Sequence, residues 1–233
     1  MVSIIISSAN KTYLADVGKN IADTIGVPFQ LIAIDNSAGT NGIGKVYNNG
    51  VKQAAYEILC FMHEDIEILT TNWGQIVADI FRQNPNLGLL GVAGSSYKPL
   101  APSGWHGLGV STEYANILQE FKFSERNVNH YFVNPNDEKL ARVACLDGVW
   151  LCTTKTIARQ NPFDENFTGF HVYDLDFSLT IGQTHKVAVT YQVLMRHFSE
   201  GGYSSASWLL DTIKLHEKWS YLLPVNLAGI SKY

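Results

Sequence analysis

Cysteine is scarce in this chain. Only Cys60, Cys145 and Cys152 occur in 233 residues. Each sits in apolar surroundings without metal-type spacing, so packing thiols in a reducing compartment are expected. Positive charge is scarce as well: 17 Lys and Arg against 21 Asp and Glu give a formal net charge of −4, which offers a nucleic-acid partner no basic face. No apolar stretch is long enough to span a bilayer. The opening Met1-Val2-Ser3-Ile4-Ile5-Ile6 is too short, and lacks the basic start, of a secretory signal, so a cytoplasmic location is expected. The first apolar run is followed by Ser7-Ser8-Ala9-Asn10-Lys11, without the glycines and arginine that a nucleotidyltransferase uses to hold a triphosphate. What remains is the composition of an ordered globular protein, 46% hydrophobic and 16% charged, able to bury one substantial core.

Val2 to Ser8 is β-branched and reads as a buried strand. Leu14, Val17, Ile21 and Ile25 recur at helical spacing, with Gly26 as the stop. A second strand, Phe29 to Ile34, runs into Asp35-Asn36-Ser37, and Lys45 to Glu57 reads as a helix leading to a strand that ends at His63. Trp73, Ile76, Val77, Ile80 and Phe81 form the clearest helical stripe, stopped by Asn84-Pro85-Asn86 before a strand over Leu87 to Val92. This alternation predicts a mostly parallel α/β sheet flanked by helices. The rhythm fails from Tyr97 to Arg142, which reads as an irregular, ligand-serving insertion with one short helix over Thr112 to Glu120. Regularity resumes with a strand over Val143 to Thr153 and helices over Thr156 to Gln160 and Asp174 to Ile181. A strand over Lys186 to Arg196 and a C-terminal helix over Ser205 to Leu223 follow. The organisation expected is one domain in three parts: a first half (1–95), the insertion (96–142), and a second half ending in the C-terminal helix (143–233).

The most informative segment is Leu59-Cys60-Phe61-Met62-His63-Glu64-Asp65-Ile66-Glu67, an apolar run that ends in acids and an imidazole. In an extended chain alternate side chains share a face, so His63, Asp65 and Glu67 are expected to project together. Strand ends are where open α/β sheets bind ligands. Carboxylate with imidazole suits Mn²⁺ better than Mg²⁺, which prefers oxygen alone; an ordinary polar turn is the competing reading. Asp35 could accept bonds from a ribose, or merely close an Asx-turn. Asp174 and Asp176 are either helix-start residues, or Asp174 is a general base facing the cleft. His197 closes a late strand, and Gly201-Gly202 just beyond it would permit closure over a substrate. Trp105-His106 either stacks on a sugar or anchors a loop.

The order of these signals resembles the inverting family-two glycosyltransferases of the GT-A fold, especially their bacterial glycosyltransferase-like branch. The matching residues are Asp35 after the second strand, Asn48-Asn49-Gly50-Val51, Phe61-Met62-His63-Glu64-Asp65, Phe163-Asp164-Glu165, Tyr173-Asp174 and His197. The likeness runs from Val2 to about Gly202 and is poor from Tyr97 to Arg142. Two positions depart from the pattern: His63 stands where it has an acid, and Tyr173 where it has Glu. The resemblance implies a nucleotide-diphosphate sugar, uridine-linked, held by Ser8, Asp35, Asn49, Glu64 and Asp65. It also implies a divalent metal (Mn²⁺ or Mg²⁺) on His63, Asp65 and His197, and Asp174 as base. A glycan or lipid-linked acceptor would lie along Trp105, His106, Asp147, Gly148 and Tyr173. Tryptophans of the C-terminal helix either pack on the sheet or rest at a membrane surface. A non-catalytic sugar-nucleotide or glycan binder on the same fold is the competing function.

Overall fold

The computed structural model describes residues 1–106, 111–120, 128–199 and 205–230. Its elements run β1 (Val2–Ser8), α1 (Lys11–Thr24), β2 (Phe29–Asp35), α2 (Ile43–Gln53), β3 (Ile58–Met62), β4 (Ile66–Ile68), α3 (Trp73–Gln83), β5 (Leu87–Gly91), β6 (Ala93–Ser95) and β7 (Tyr97–Lys98). They continue β8 (Glu113–Glu120), β9 (Asn129–Val133), β10 (Leu140–Val143), β11 (Cys145–Leu146), β12 (Trp150–Thr154), α4 (Lys155–Gln160), α5 (Tyr173–Gly182), β13 (Lys186–Thr190), β14 (Met195–Phe198), α6 (Ala206–Trp219) and β15 (Val225–Asn226).

The main sheet has the order β10-β13-β5-β12-β3-β1-β2. β1 pairs parallel with β2 and β3, and β13 parallel with β5, while β12 and β10 run antiparallel to their neighbours. β1 carries three consecutive isoleucines, Ile4 to Ile6, because both faces are covered. Ile4 and Ile6 pack with Val17 and Ile21 of α1 and Trp73 and Val77 of α3. Ile5 points the other way, into a cluster with Tyr47 and Val51 of α2 and Phe177 and Ile181 of α5. Gly50 lets α2 lie close on the sheet, since a Cβ there would come 2.3 Å from Ile5 Cγ2. Its neighbour Asn48 clamps the chain before α5, donating to Phe163 O and Glu165 and accepting from Phe163 N.

A second sheet, β11-β6-β8-β14-β4 with β9 on β8, carries part of the segment expected to be irregular. The helix expected over Thr112 to Glu120 is instead the strand β8. Ala, Leu, Gln and Glu favour helix locally, but β8 has partners in β6, β14 and β9, and tertiary pairing overrides the weaker propensity. The strand expected over Lys186 to Arg196 is two strands, because the chain turns at Thr190, whose Oγ1 accepts from Gln192 N, and passes to the second sheet. The helix expected to reach Glu57 stops at Gln53, where Gln30 and Ser3 side chains capture the next amides, Ala55 N and Tyr56 N. The stretch Val143 to Thr153 is interrupted at Asp147–Val149, between β11 and β12. All three cysteines are free and buried. Among the described residues no helix is long and apolar enough to cross a membrane.

The C-terminal helix docks through Leu215 and Trp219, packed in a cluster with Leu175 and Leu179 of α5, and through a polar group beside them. Lys218 Nζ lies 2.7 Å from both Asp164 and Asp176, and Trp219 Nε1 donates to Asp176 at 2.8 Å. Asp176 is only 2% exposed. Asp176→Ala is therefore expected to destabilise the fold by about 2 kcal/mol, since it strands the buried indole donor of Trp219 and leaves Lys218 with Asp164 alone. Urea unfolding would measure it, and a loss under about 1 kcal/mol would mean the polar group contributes no more than a surface pair.

Candidate active site

Strand ends from both sheets converge on one cleft. β3 ends at Met62 and β4 begins at Ile66, so the chain bends between them, and His63, Asp65 and Glu67 do not share one extended face. Glu67 lies in β4 and pairs with Arg196 at 3.2 Å, so it is not the third partner the alternation predicts. His197 takes that place. β14 runs antiparallel to β4 with His197 opposite Ile66, and Phe198 N donates to Asp65 O at 2.9 Å. Asp65 Oδ1 then lies 3.8 Å from His63 Nδ1 and 3.6 Å from His197 Nε2. One donor atom from each of the three falls within 4.8 Å of the others. His197 Nε2 is buried without a hydrogen bond. Two imidazoles and a carboxylate at this spacing form a donor set that fits a divalent cation of borderline softness.

Glu64, adjacent in sequence, does something else. Its carboxylate accepts from Ser8 Oγ at 2.8 Å, Ala9 N at 3.0 Å and Asn10 N at 2.8 Å. It thus ties the end of β1 to the end of β3. Asp35 is exposed at the end of β2, and its Oδ1 accepts from Ser37 N at 2.9 Å, the Asx-turn arrangement. That bond is the main reason its carboxyl sits below the ordinary aspartate value. Asn49 contacts Lys52 on α2 and lines neither cavity described below.

The second group gathers on the turn Asp147–Val149 and the start of α5. Val172, immediately before α5, has φ +58°, a left-handed conformation that costs a β-branched residue on the order of 1–2 kcal/mol. Tyr173 follows, buried, with its hydroxyl donating to Gly148 O at 3.1 Å and lying 3.0 Å from His63 Nε2. Asp174 Oδ2 accepts from Gly148 N and Oδ1 from Leu175 N, both at 2.9 Å. Burial, and then the nearby Asp147 carboxylate, push the Asp174 carboxyl up to about 7 against the pull of those amides. Asp147 is itself engaged: Oδ2 accepts from Trp105 Nε1 at 2.6 Å and Oδ1 from Val149 N at 2.8 Å. Trp105 is buried and lies against the His106 ring, with centroids 3.5 Å apart and the planes tilted by 30°. His106 is drawn toward Glu113, 3.1 Å away, and does not line the cleft.

Two adjoining cavities result. One of ≈ 300 Å³ lies at the ends of β1 and β3, with Asn10, Asn36, His63 and Asp65 in its wall. The other, of ≈ 240 Å³, is lined by His63, Trp105, Asp147, Tyr173, Asp174 and His197 among others. His63 and Phe170 belong to both walls. Sequence reasoning missed Asn36, Phe170 and Trp208, which carry no motif that would single them out. The Gly201-Gly202 closure expected beyond His197 lies outside the described residues.

A family profile described as "Glycosyltransferase like family" matches residues 3–209. No curated protein matches the chain. Among solved structures, GalNAc-T7 with UDP, GalNAc and Mn²⁺ is similar with a TM-score of 0.63 at 10% identity, over 95% of this chain and 49% of that one. S. aureus TarS 1–349 in complex with UDP gives 0.56 at 12% identity, over 92% and 64%. TarS 1–349 with UDP-GlcNAc gives 0.55 at 13% identity, over 88% and 60%. At such identities the likeness is one of fold. The chain spans about half to under two thirds of the length of these proteins.

Proposed function

The chain belongs to the glycosyltransferase-like family, and from that premise we propose that it moves a sugar from a nucleotide-diphosphate donor, UDP-linked, to an acceptor hydroxyl with inversion. One observation carries the reading: a cation-type donor set and a carboxyl raised to about 7 share one cleft. The cavity at the ends of β1 and β3 would take the nucleoside diphosphate, near Ser8, Asp35 and Asn36. His63, Asp65 and His197 would hold the divalent cation, and their two nitrogens favour Mn²⁺ over Mg²⁺. When bound, such a cation supplies charge stabilisation to the diphosphate as it departs.

Asp174 would accept the proton of the acceptor hydroxyl as its oxygen bonds to the anomeric carbon. The bond from that carbon to the diphosphate oxygen breaks in the same displacement, and the electron pair leaves with the diphosphate. A single in-line attack inverts the centre. Asp147, whose oxygens accept from Trp105 Nε1 and Val149 N, would position Trp105 on the acceptor side and keep Asp174's proton affinity high. The acceptor would be a glycan, free or lipid-linked, on the side of Trp105, Phe170 and Trp208. The exposed Leu209, Leu210 and Ile213 of α6 give a peripheral membrane contact an apolar surface close to that side.

UDP, GDP and CDP added with Mn²⁺ or with EDTA, followed by thermal unfolding, would test the donor site, because a ligand that binds only the native state raises the midpoint. UDP is expected to raise it in Mn²⁺ and far less in EDTA. No shift with any of the three would defeat the donor-site reading.

A further inference from the structure

The two positions at which this chain departs from the family pattern, His63 and Tyr173, are 110 residues apart in sequence and in contact in space. His63 Nε2 and Tyr173 Oη are 3.0 Å apart. The direction of that bond follows from its surroundings. Gly148 O, 3.1 Å from Tyr173 Oη, can only accept, and a phenol hydrogen placed there leaves Oη to accept from His63, with Nε2 carrying the imidazole proton. Nδ1 is then the basic nitrogen, and it is Nδ1 that lies 3.8 Å from Asp65 Oδ1. Ligating histidines are commonly fixed in this way, by a partner on the nitrogen that does not face the metal.

The phenol has little freedom to do otherwise. Tyr173 is 6% exposed, its ring lies edge-on to Tyr47 with centroids 5.7 Å apart, and Val172 before it is held at φ +58°. Residue 148 is glycine because the hydroxyl needs the space. A Cβ there would lie 2.2 Å from Tyr173 Oη and 2.6 Å from Cζ. A Glu at 173 would set a carboxylate against whichever acid stood at 63; a neutral phenol suits an imidazole. The same turn then passes from Gly148 O, which accepts from Tyr173, to Gly148 N, which donates to Asp174.

We propose that Tyr173 is a positioning residue of the cation site: its hydroxyl fixes the His63 tautomer that presents Nδ1 beside Asp65, and through Gly148 it holds that site in register with Asp174. The assignment rests on the reading of His63, Asp65 and His197 as a cation site, and it gives Tyr173 a task other than touching the acceptor.

Two measurements on the intact protein test it. Nitrogen-proton correlation spectra of the histidine rings, with His63 identified by its loss in His63→Gln, report the tautomer without metal. Calorimetric titration with MnCl2 reports the site. The Nε2–H form is expected in the wild type and is lost or mixed in Tyr173→Phe, with Mn²⁺ affinity about 10–100-fold weaker and a metal-free midpoint lowered only by the loss of the bond to Gly148 O. In a His63→Gln background, Tyr173→Phe should cost no further affinity. If Tyr173→Phe folds poorly, the wild-type spectrum decides: His63 found as the Nδ1–H form without metal overturns the assignment. Wild-type Mn²⁺ binding that survives intact in Tyr173→Phe, or losses that simply add, overturn the assignment while leaving the cation site standing. A wild type that takes up no Mn²⁺ defeats the cation-site reading, and Tyr173's role with it.

Discussion

Asp174→Asn should lower sugar transfer by about 10²–10⁴-fold, the range expected when a general base is removed, while Mn²⁺-dependent binding of UDP stays within about twofold of the wild type. The amide cannot accept the acceptor's proton, yet it occupies the same volume at the start of α5. Transfer by the wild type should rise with pH through about 7, because only the ionised carboxyl serves as base and burial beside Asp147 has raised its proton affinity to that level. Asp147→Asn removes the second of those causes and should move this limb to lower pH. Stability should run the opposite way. The folded carboxyl holds its proton up to about 7, whereas an unfolded aspartate releases it near the ordinary value of 3.8. The stabilisation this group contributes is therefore complete below that value and is lost as pH rises through about 7. Melting midpoints of wild type and Asp174→Asn, compared from pH 5 to 8, should show the wild type losing ground with pH. Unchanged turnover in Asp174→Asn would favour a binder that has kept the fold without the chemistry.

Local signals made much of the fold legible. The β-branched run of β1, the helical stripe of α3 and the alternation of strands and helices are consequences of burial, and burial leaves a period in the sequence. β8 was not legible, because what makes Glu113–Glu120 a strand is the presence of β6, β9 and β14 beside it, none of which its own residues announce. The site divides in the same way. His63 and Asp65 stand at the end of an apolar run and invite attention; Glu67 invites as much, and only the pairing of β4 with β14 sends it to Arg196 and brings His197 in. Asp174 and Asp176 are indistinguishable by position in the first turn of a helix. Lys218 and Trp219 separate them, by claiming Asp176 for the docking of α6 and leaving Asp174 to the cleft. Asp35, an attractive nucleoside ligand by place in the chain, is engaged in the Asx-turn that was its rival reading.

Asp65→Ala should abolish the effect of Mn²⁺ on UDP binding, a loss of about 100-fold or more in affinity measured in the metal's presence, by analogy with the removal of one partner of a charged, desolvated contact. Asp65 is the lone carboxylate of the three-residue donor set, so without it two imidazoles face each other, ring centroids 5.6 Å apart, with no negative charge to draw a cation between them. The fold should survive, since the segment is held by main-chain atoms: Phe198 N donates to Asp65 O and His63 N to Val149 O, bonds that no side-chain substitution at 65 removes. Asp65→Asn, which keeps the shape and removes the charge, should give nearly the same loss, separating electrostatics from packing. Glu64 supplies the control. Its carboxylate satisfies Ser8 and the amides of Ala9 and Asn10, so Glu64→Ala should lower the melting midpoint of the metal-free protein and leave the Mn²⁺ dependence of UDP binding in place. If Asp65→Ala still showed a Mn²⁺-dependent rise in midpoint with UDP, the cation would have to be held elsewhere. The convergence of His63, Asp65 and His197 would then be a matter of packing between the two sheets.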